Sequence, residues 1–138
     1  MGINEMQQQI IEEFSLLEEW FDIYEKLIEL GKHLPEMDEQ YKSETNLISG
    51  CQSRLWMVAA LEENGKVVYH VDSDALIVKG IIALLLKVVN HQPPEEIAVA
   101  NLYFLEAIGL SSHLSPSRAN GLALMVERIK EYARAYVY

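Results

Sequence analysis

The stretch DSDALIVKGIIALLLKVVN, residues 72 to 90, constrains the fold of this 138-residue chain more than any other. Its first three residues include Ser73 and Asp74, residue types that cap helices, and it then runs apolar nearly all round a helical projection. The pattern predicts a central, largely buried helix that other elements have to cover. Gly80 lies inside it and costs about 1 kcal/mol of helix propensity relative to alanine, which indicates close approach by another backbone.

A β-hairpin is predicted immediately before this helix. The segments RLWMVAALEE and KVVYHV flank Asn64-Gly65, a pair suited to a two-residue type I′ turn. That turn would pair Leu61 with Val68 and Ala60 with Tyr69. Alternation along each strand predicts a core-facing set, with Met57 on the opposite face. The core-facing set is Trp56, Val58, Ala60, Val67, Tyr69 and Val71.

Helices are predicted on both sides of this unit. Two are expected in the first 34 residues, with a capping box at residues 15 to 18 starting the second and Gly31 as its left-handed stop. Further helix boundaries are signalled downstream. They lie at Pro93-Pro94, Gly109, Ser115 and Pro116. The fold class is therefore predicted as α+β, with helices packed on one side of a small antiparallel β-sheet, in a single domain over residues 1–138.

Charge and hydropathy narrow the function. A net charge of -10 repels nucleic acid and anionic membrane surfaces, so neither is expected as a partner. Residues 1 to 45 hold 12 acids and 3 bases, a net of -9, which indicates either a solvated face or a docking surface for a basic partner. Neither a membrane span nor a signal peptide is recognisable, so a cytoplasmic location is expected.

The only cysteine, Cys51, follows Gly50 in NLISGCQSRLW, where a loop pattern gives way to a strand pattern. One cysteine excludes an internal disulfide, a CxxC motif and multi-cysteine zinc sites. A lone cysteine is more often inert packing, and a working thiol needs a base, a cation or a strongly electrophilic reactant. No spacing singles out one of the four candidate bases. These are His33, His70, His91 and His113.

Three segments resemble the SufE family of sulfur-acceptor proteins, partners of cysteine desulfurases in iron-sulfur cluster assembly. They are ISGCQSRLW (48 to 56), DSDALIVKGIIALLL (72 to 86) and HLSPSRANGL (113 to 122). Their order and spacing are also similar to that family, and with the helical N-terminus the resemblance covers nearly the whole chain. It implies a SufE/IscU-like fold.

The same resemblance implies a carrier that is not itself an enzyme. Cys51 would accept sulfane sulfur as a persulfide from a SufS-like cysteine desulfurase, stimulate that enzyme and pass the sulfur to an iron-sulfur scaffold protein. No cofactor or metal is expected on this chain, because the pyridoxal phosphate belongs to the desulfurase. Arg118, the only base in its turn of the shared motif, is the best candidate for a cation near the sulfur.

Two alternatives stay open. One is an iron-sulfur scaffold-like protein, although a cluster normally needs about four protein ligands, thiolates by preference. The other is a non-catalytic protein-binding module with Cys51 as a structural residue. Gly50 fits a hinge for the thiol and an ordinary turn equally well. The sequence also leaves open whether the protein forms a homodimer.

Overall fold

The computed structural model describes residues 2–48 and 53–137. Helices precede and follow a two-stranded antiparallel sheet, which confirms the predicted α+β class. In chain order the elements are α1 (Ile3–Ser15), α2 (Trp20–Lys32), β1 (Leu55–Leu61), β2 (Val67–Ser73), α3 (Leu76–Val89), α4 (Pro94–Val99), α5 (Phe104–Ala107), α6 (Leu110–His113) and α7 (Pro116–Ala135). Short 3-10 turns lie at Glu39–Tyr41 and Glu44–Asn46.

The helix α3 lies at the centre of the fold, as its apolar sequence predicts. Ile82, Leu84, Leu85 and Val88 are buried, and the helix contacts α1, α2 and β2. Burying each such side chain stabilises the fold by about 1.5–3 kcal/mol, so this helix holds the surrounding layers together. Within the described part of the chain, no helix is both long and apolar enough to cross a bilayer.

The helices α2 and α3 cross with their backbones in contact. A Cβ on Gly80 would overlap the backbone of Leu27, which confirms the reason predicted for that glycine. The prediction that Gly31 ends α2 in the left-handed conformation is wrong. Gly31 lies inside α2, where a Cβ would come within 2.8 Å of the Gly80 nitrogen and 2.9 Å of the Leu76 carbonyl oxygen. Both glycines therefore allow α2 and α3 to cross at close range.

The predicted hairpin is present, but its register is shifted by one residue. Leu61 pairs with Val67 and Ala60 with Val68, so the register differs from the one that a two-residue turn predicts. Gly65 adopts a φ of 84°, and Asn64 Oδ1 accepts a hydrogen bond from the Lys66 amide. The Glu62 amide donates to the Lys66 carbonyl at 2.7 Å, so residues 63 to 65 form a three-residue loop with glycine in the left-handed region. This is the next most common hairpin after the two-residue type.

This shift reverses the predicted faces of β1, because a slip of one residue moves every side chain to the other side of the sheet. Met57 and Leu55 are buried in the core, and Trp56 lies half-buried on the opposite face. The faces of β2 are as predicted, with Tyr69 and Val71 in the core.

Two predicted helix starts are wrong. Ser15 ends α1 and its hydroxyl donates to the Glu12 carbonyl at 2.7 Å, while α2 begins after Glu19 without a capping side chain. The helix α3 begins after Ala75, because β2 extends through Ser73 and takes that residue into the sheet.

The downstream boundaries are confirmed. Pro94 opens α4, and Gly109 adopts a φ of 86° just after α5. Ser115 caps α7 by accepting a hydrogen bond from the Arg118 amide at 3.3 Å, with Pro116 in the first turn. This cap fixes the first turn of α7, and with it the position from which the Arg118 side chain projects.

Candidate functional site

Cys51 and Gly50, which the sequence marks for function, lie outside the described residues. The chain on either side of residues 49 to 52 is described. On the N-terminal side the Ile48 amide donates to the Leu55 carbonyl at 2.8 Å, and Leu47 forms a bridge with Trp56. The chain that leads into the cysteine segment is thus paired with β1.

The C-terminal side is held more tightly, through the main chain of Arg54. Its amide donates to Asp74 Oδ1 at 3.0 Å, and its carbonyl accepts from Ser73 Oγ at 2.6 Å and from the Asp74 amide at 3.3 Å. Ser73 and Asp74 therefore anchor the strand entry and do not cap α3 in the predicted way. Because both flanks are bonded to the sheet, the chain enters and leaves the cysteine segment at fixed points.

A cleft opens beside this anchor, between β1, α3 and the start of α7. Its described walls are mainly apolar, and Arg118 is half-buried among them. The lining residues are Ser53, Leu55, Val78, Ile81, Ser117, Arg118, Gly121, Leu122 and Met125. Ser53, two positions after Cys51 in the sequence, thus lines the same cleft as Arg118, and a position of Arg118 near the thiol stays a prediction. None of the ion pairs among residues 2–48 and 53–137 engages Arg118.

A second cleft shares Arg118 and lies toward the start of α2. Trp20 and Tyr24 form one wall and His113 another. The Trp20 and His113 rings stack with centroids 4.6 Å apart and planes 9° from parallel. Nδ1 of His113 lies 2.8 Å from the Gly109 carbonyl oxygen, so it carries the proton and donates. The sequence does not single out this histidine, although it opens the third shared segment.

The other three candidate bases lie away from these two clefts. His33 pairs with Glu29 at 3.2 Å, and His91 Nδ1 lies 2.8 Å from Glu62 Oε1. His70 is exposed on the outer face of the sheet. Within the described ranges, no group of three or more His, Cys, Asp or Glu side chains could hold a metal ion.

A buried carboxylate that sequence patterning missed fixes the loop before the cysteine. Asp72 is 2% exposed, and its oxygens lie 3.6 Å from Lys42 Nζ and 3.7 Å from Lys79 Nζ. The Met37 amide also donates to it, at 3.3 Å. Lys42 Nζ lies 5.5 Å from the centroid of the Trp56 ring, within reach of a cation-π contact.

Lys42 titrates differently from an isolated lysine. Burial alone would lower its pKa, but the hydrogen bond and charge of Glu39, together with those of Asp72, raise the pKa above 10.5. Lys42 is therefore a fixed cation at neutral pH. It joins the polar loop to the outer face of the sheet.

Similarity to known proteins identifies the family of this chain. Residues 8–133 match the family described as "SufE: Fe-S metabolism associated domain". The chain belongs to the SufE family. An uncharacterized SufE-like protein of Rhizobium etli is 41% identical over 91% of this chain and 88% of its own length. A second, from Rhizobium meliloti, is also 41% identical, over 91% of this chain and 92% of its own. The resemblance stated from three segments is confirmed, and with it a role in iron-sulfur metabolism.

One further relative of this SufE chain bears on its location, and one solved structure bears on its fold. SufE-like protein 1 of Arabidopsis thaliana, named as chloroplastic/mitochondrial, is 38% identical over 91% of this chain and 34% of its own length. The solution structure of a hypothetical protein from Thermus thermophilus has a TM-score of 0.77 and 23% identity, with 95% of each chain covered. That structure shares the fold. Since a relative carries an organellar name, the cytoplasmic location stays a prediction.

Proposed function

We propose that this SufE protein is a sulfur carrier, a single sulfur-acceptor domain over residues 1–138 that receives sulfane sulfur on Cys51 and delivers it to an iron-sulfur scaffold. One observation carries the proposal: the only cysteine of a SufE-family chain stands in ISGCQSRLW, between two flanks bonded to the same sheet. A carrier needs one thiol, and a second nearby could resolve the loaded persulfide into a disulfide.

The transfer balances without an outside oxidant. The Cys51 thiolate attacks the outer sulfur of a persulfide on a cysteine desulfurase, so an S–S bond forms to Cys51 while the persulfide's own S–S bond breaks. The desulfurase cysteine leaves as a thiolate. The proton on the transferred sulfur either stays on that sulfur or is lost to solvent. The sulfane sulfur keeps its oxidation state, and the acceptor becomes a persulfide.

The cleft beside Ser53 supports this chemistry in two ways. A cation lowers the pKa of a neighbouring thiol and raises the fraction of thiolate, which is the attacking species. Arg118 is the cation proposed for that role, and it stays charged at any physiological pH. Apolar walls formed by Leu55, Ile81 and Met125 would shelter a persulfide from water and from reductants.

The proposed partners correspond to the two transfer steps, receipt and delivery of the sulfur. The donor is proposed to be a SufS-like cysteine desulfurase that carries the pyridoxal phosphate, and the acceptor an iron-sulfur scaffold protein. By removing the persulfide, the carrier would free the desulfurase for its next turnover and so stimulate it. The carrier would show no turnover of its own on free cysteine.

The Cys51→Ser variant tests the proposal. It keeps the size of the side chain but replaces the thiol with an alcohol that is not ionised near neutral pH, so it should abolish stimulation of the desulfurase. Sulfide release from cysteine is the readout, with the desulfurase of the same organism. If Cys51→Ser stimulates as well as the parent, the proposal is wrong and a binding module with a structural cysteine takes its place.

A further inference from the structure

The corner between α1 and α2 exposes large apolar side chains. Leu16 is 81% exposed and Phe21 is 68% exposed. Tyr24 is partly exposed and follows Phe21 by three positions, which places the two side by side on the surface of α2. These three residues form what we call the corner patch. Grouped exposure of this kind is typical of surfaces that contact another protein.

Carboxylates surround the corner patch. Residues 12 to 25 carry six of them and no lysine, arginine or histidine. They are Glu12, Glu13, Glu18, Glu19, Asp22 and Glu25, all exposed. In the described part of the chain, Glu13 alone of these six forms an ion pair, at 3.9 Å from Lys26 Nζ. The patch therefore presents apolar side chains within a field of negative charge.

This combination selects the kind of partner. Complementary potentials favour a surface that rims an apolar pocket with lysine and arginine. A second copy of this chain fits poorly, because each copy carries a net charge of -10 and the same carboxylates would face each other at a symmetric contact. The occupant is therefore a basic protein surface.

The corner patch adjoins the candidate site. Tyr24 and Trp20 line the second cleft together with Arg118, and Arg118 also lines the cleft that begins at Ser53. A partner seated on the patch would therefore stand next to the chain that leaves the Cys51 segment.

We propose that the corner patch is the docking surface for the cysteine desulfurase, which meets it with a basic rim around an apolar pocket. This inference rests on the proposed sulfur-acceptor function. Charge would speed the encounter, and burial of Leu16 and Phe21 would hold the complex together.

Binding to the desulfurase of the same organism tests the surface. The double variant Leu16→Ala/Phe21→Ala should bind about tenfold more weakly or worse, as loss of central apolar anchors does. The matched control is Val99→Ala, since Val99 is 83% exposed but lies on α4, beside the start of α1 and away from the corner. The control should bind like the parent.

Charge variants supply a second, independent reading. Asp22→Lys should weaken binding and flatten its dependence on salt, whereas Glu95→Lys, an equal charge change on α4, should do neither. All of the substituted positions are exposed, so melting temperatures should stay at the parent value. Equal binding by the parent, the double variant and Asp22→Lys would overturn the docking surface.

Loading from glutathione persulfide separates the two proposals. This small donor needs no docking surface, so Cys51 should load equally in the parent and the double variant. If the parent binds the desulfurase through the patch but Cys51 never carries sulfur from either donor, the docking surface stands and the acceptor function falls. If the parent does not bind the desulfurase at all, both fall.

Discussion

Gly80 of α3 lies against the main chain of Leu27 in α2, so closely that an added Cβ would stand 2.6 Å from the Leu27 carbonyl carbon. The two central helices therefore touch backbone to backbone. This contact sets the position of α2, whose first turns supply Trp20 and Tyr24 to the cleft that contains Arg118.

Substitution at this crossing should be costly. Gly80→Ala gains helix propensity of about 1 kcal/mol but forces the helices apart, and we expect a net loss of about 1–3 kcal/mol in the free energy of unfolding. Urea denaturation provides the measurement. Lys87→Ala, at an exposed position of the same helix, is the control and should change stability little. An unchanged or higher stability for Gly80→Ala would contradict the close crossing.

The buried carboxylate of Asp72 gives a second stability prediction. Asp72→Asn keeps the shape but removes the charge that faces Lys42 and Lys79, and we expect a loss of about 1–3 kcal/mol. Glu39→Gln is the matched control, because Glu39 also pairs with Lys42, at 3.4 Å, but is exposed. Its effect should stay below about 0.5 kcal/mol. Equal effects of the two changes in chemical denaturation would argue against the buried network.

Burial of the Tyr69 hydroxyl should make the free energy of unfolding depend on pH in the alkaline range. That hydroxyl donates to the Ile129 carbonyl at 2.7 Å, and burial, with a smaller contribution from Tyr136, raises its pKa well above the ordinary 10.0. The folded state thus favours the protonated form. Its stabilising contribution is full below about pH 10 and is lost as the pH rises from there toward the pKa of the folded state.

The Tyr69→Phe variant isolates this contribution. At neutral pH it should be about 1 kcal/mol less stable, because the hydrogen bond to Ile129 is gone. Between about pH 9 and about pH 11 it should lose less stability than the parent, since it has one fewer raised phenol pKa. Parallel losses in the two proteins, measured by urea denaturation at each pH, would show that Tyr69 does not cause the dependence.

Arg118 should tune the thiol of Cys51. Arg118→Gln removes the cation, so the pKa of the thiol should rise and alkylation by iodoacetamide at neutral pH should slow by about threefold or more. The rate of alkylation as a function of pH reports that pKa directly. Arg128→Gln, on the same helix but paired with Glu131 at 3.6 Å, should leave the profile unchanged. An identical profile for parent and Arg118→Gln would show that Arg118 does not lower the pKa of the thiol.

Local patterns predict the elements of this fold where the physics is local. The apolar run of α3 specifies burial, Gly80 specifies a close contact, and Ser115 with Pro116 specifies a helix start. The predicted hairpin register is wrong because the Asn64-Gly65 pair fits both a two-residue and a three-residue loop. Choosing between them depends on which face of β1 meets the core, and the alternation of the strand does not decide that.

The site is less predictable, since its contacts join residues far apart in sequence. Asp72 meets Lys42 across 30 positions, and Arg54 is anchored by Ser73 and Asp74, whose types suggest helix caps. The prediction of Arg118 near the thiol comes from the family motif and not from periodicity. The role of Cys51 itself stays a prediction.

Mass spectrometry of the Cys51 peptide tests that role most directly. After incubation with the desulfurase and cysteine, the peptide should gain the mass of one or more sulfur atoms, and a reductant should remove the gain. Cys51→Ser, treated in the same way, should gain nothing. A parent peptide that never gains sulfur, although the desulfurase is active in the same tube, would contradict the carrier function.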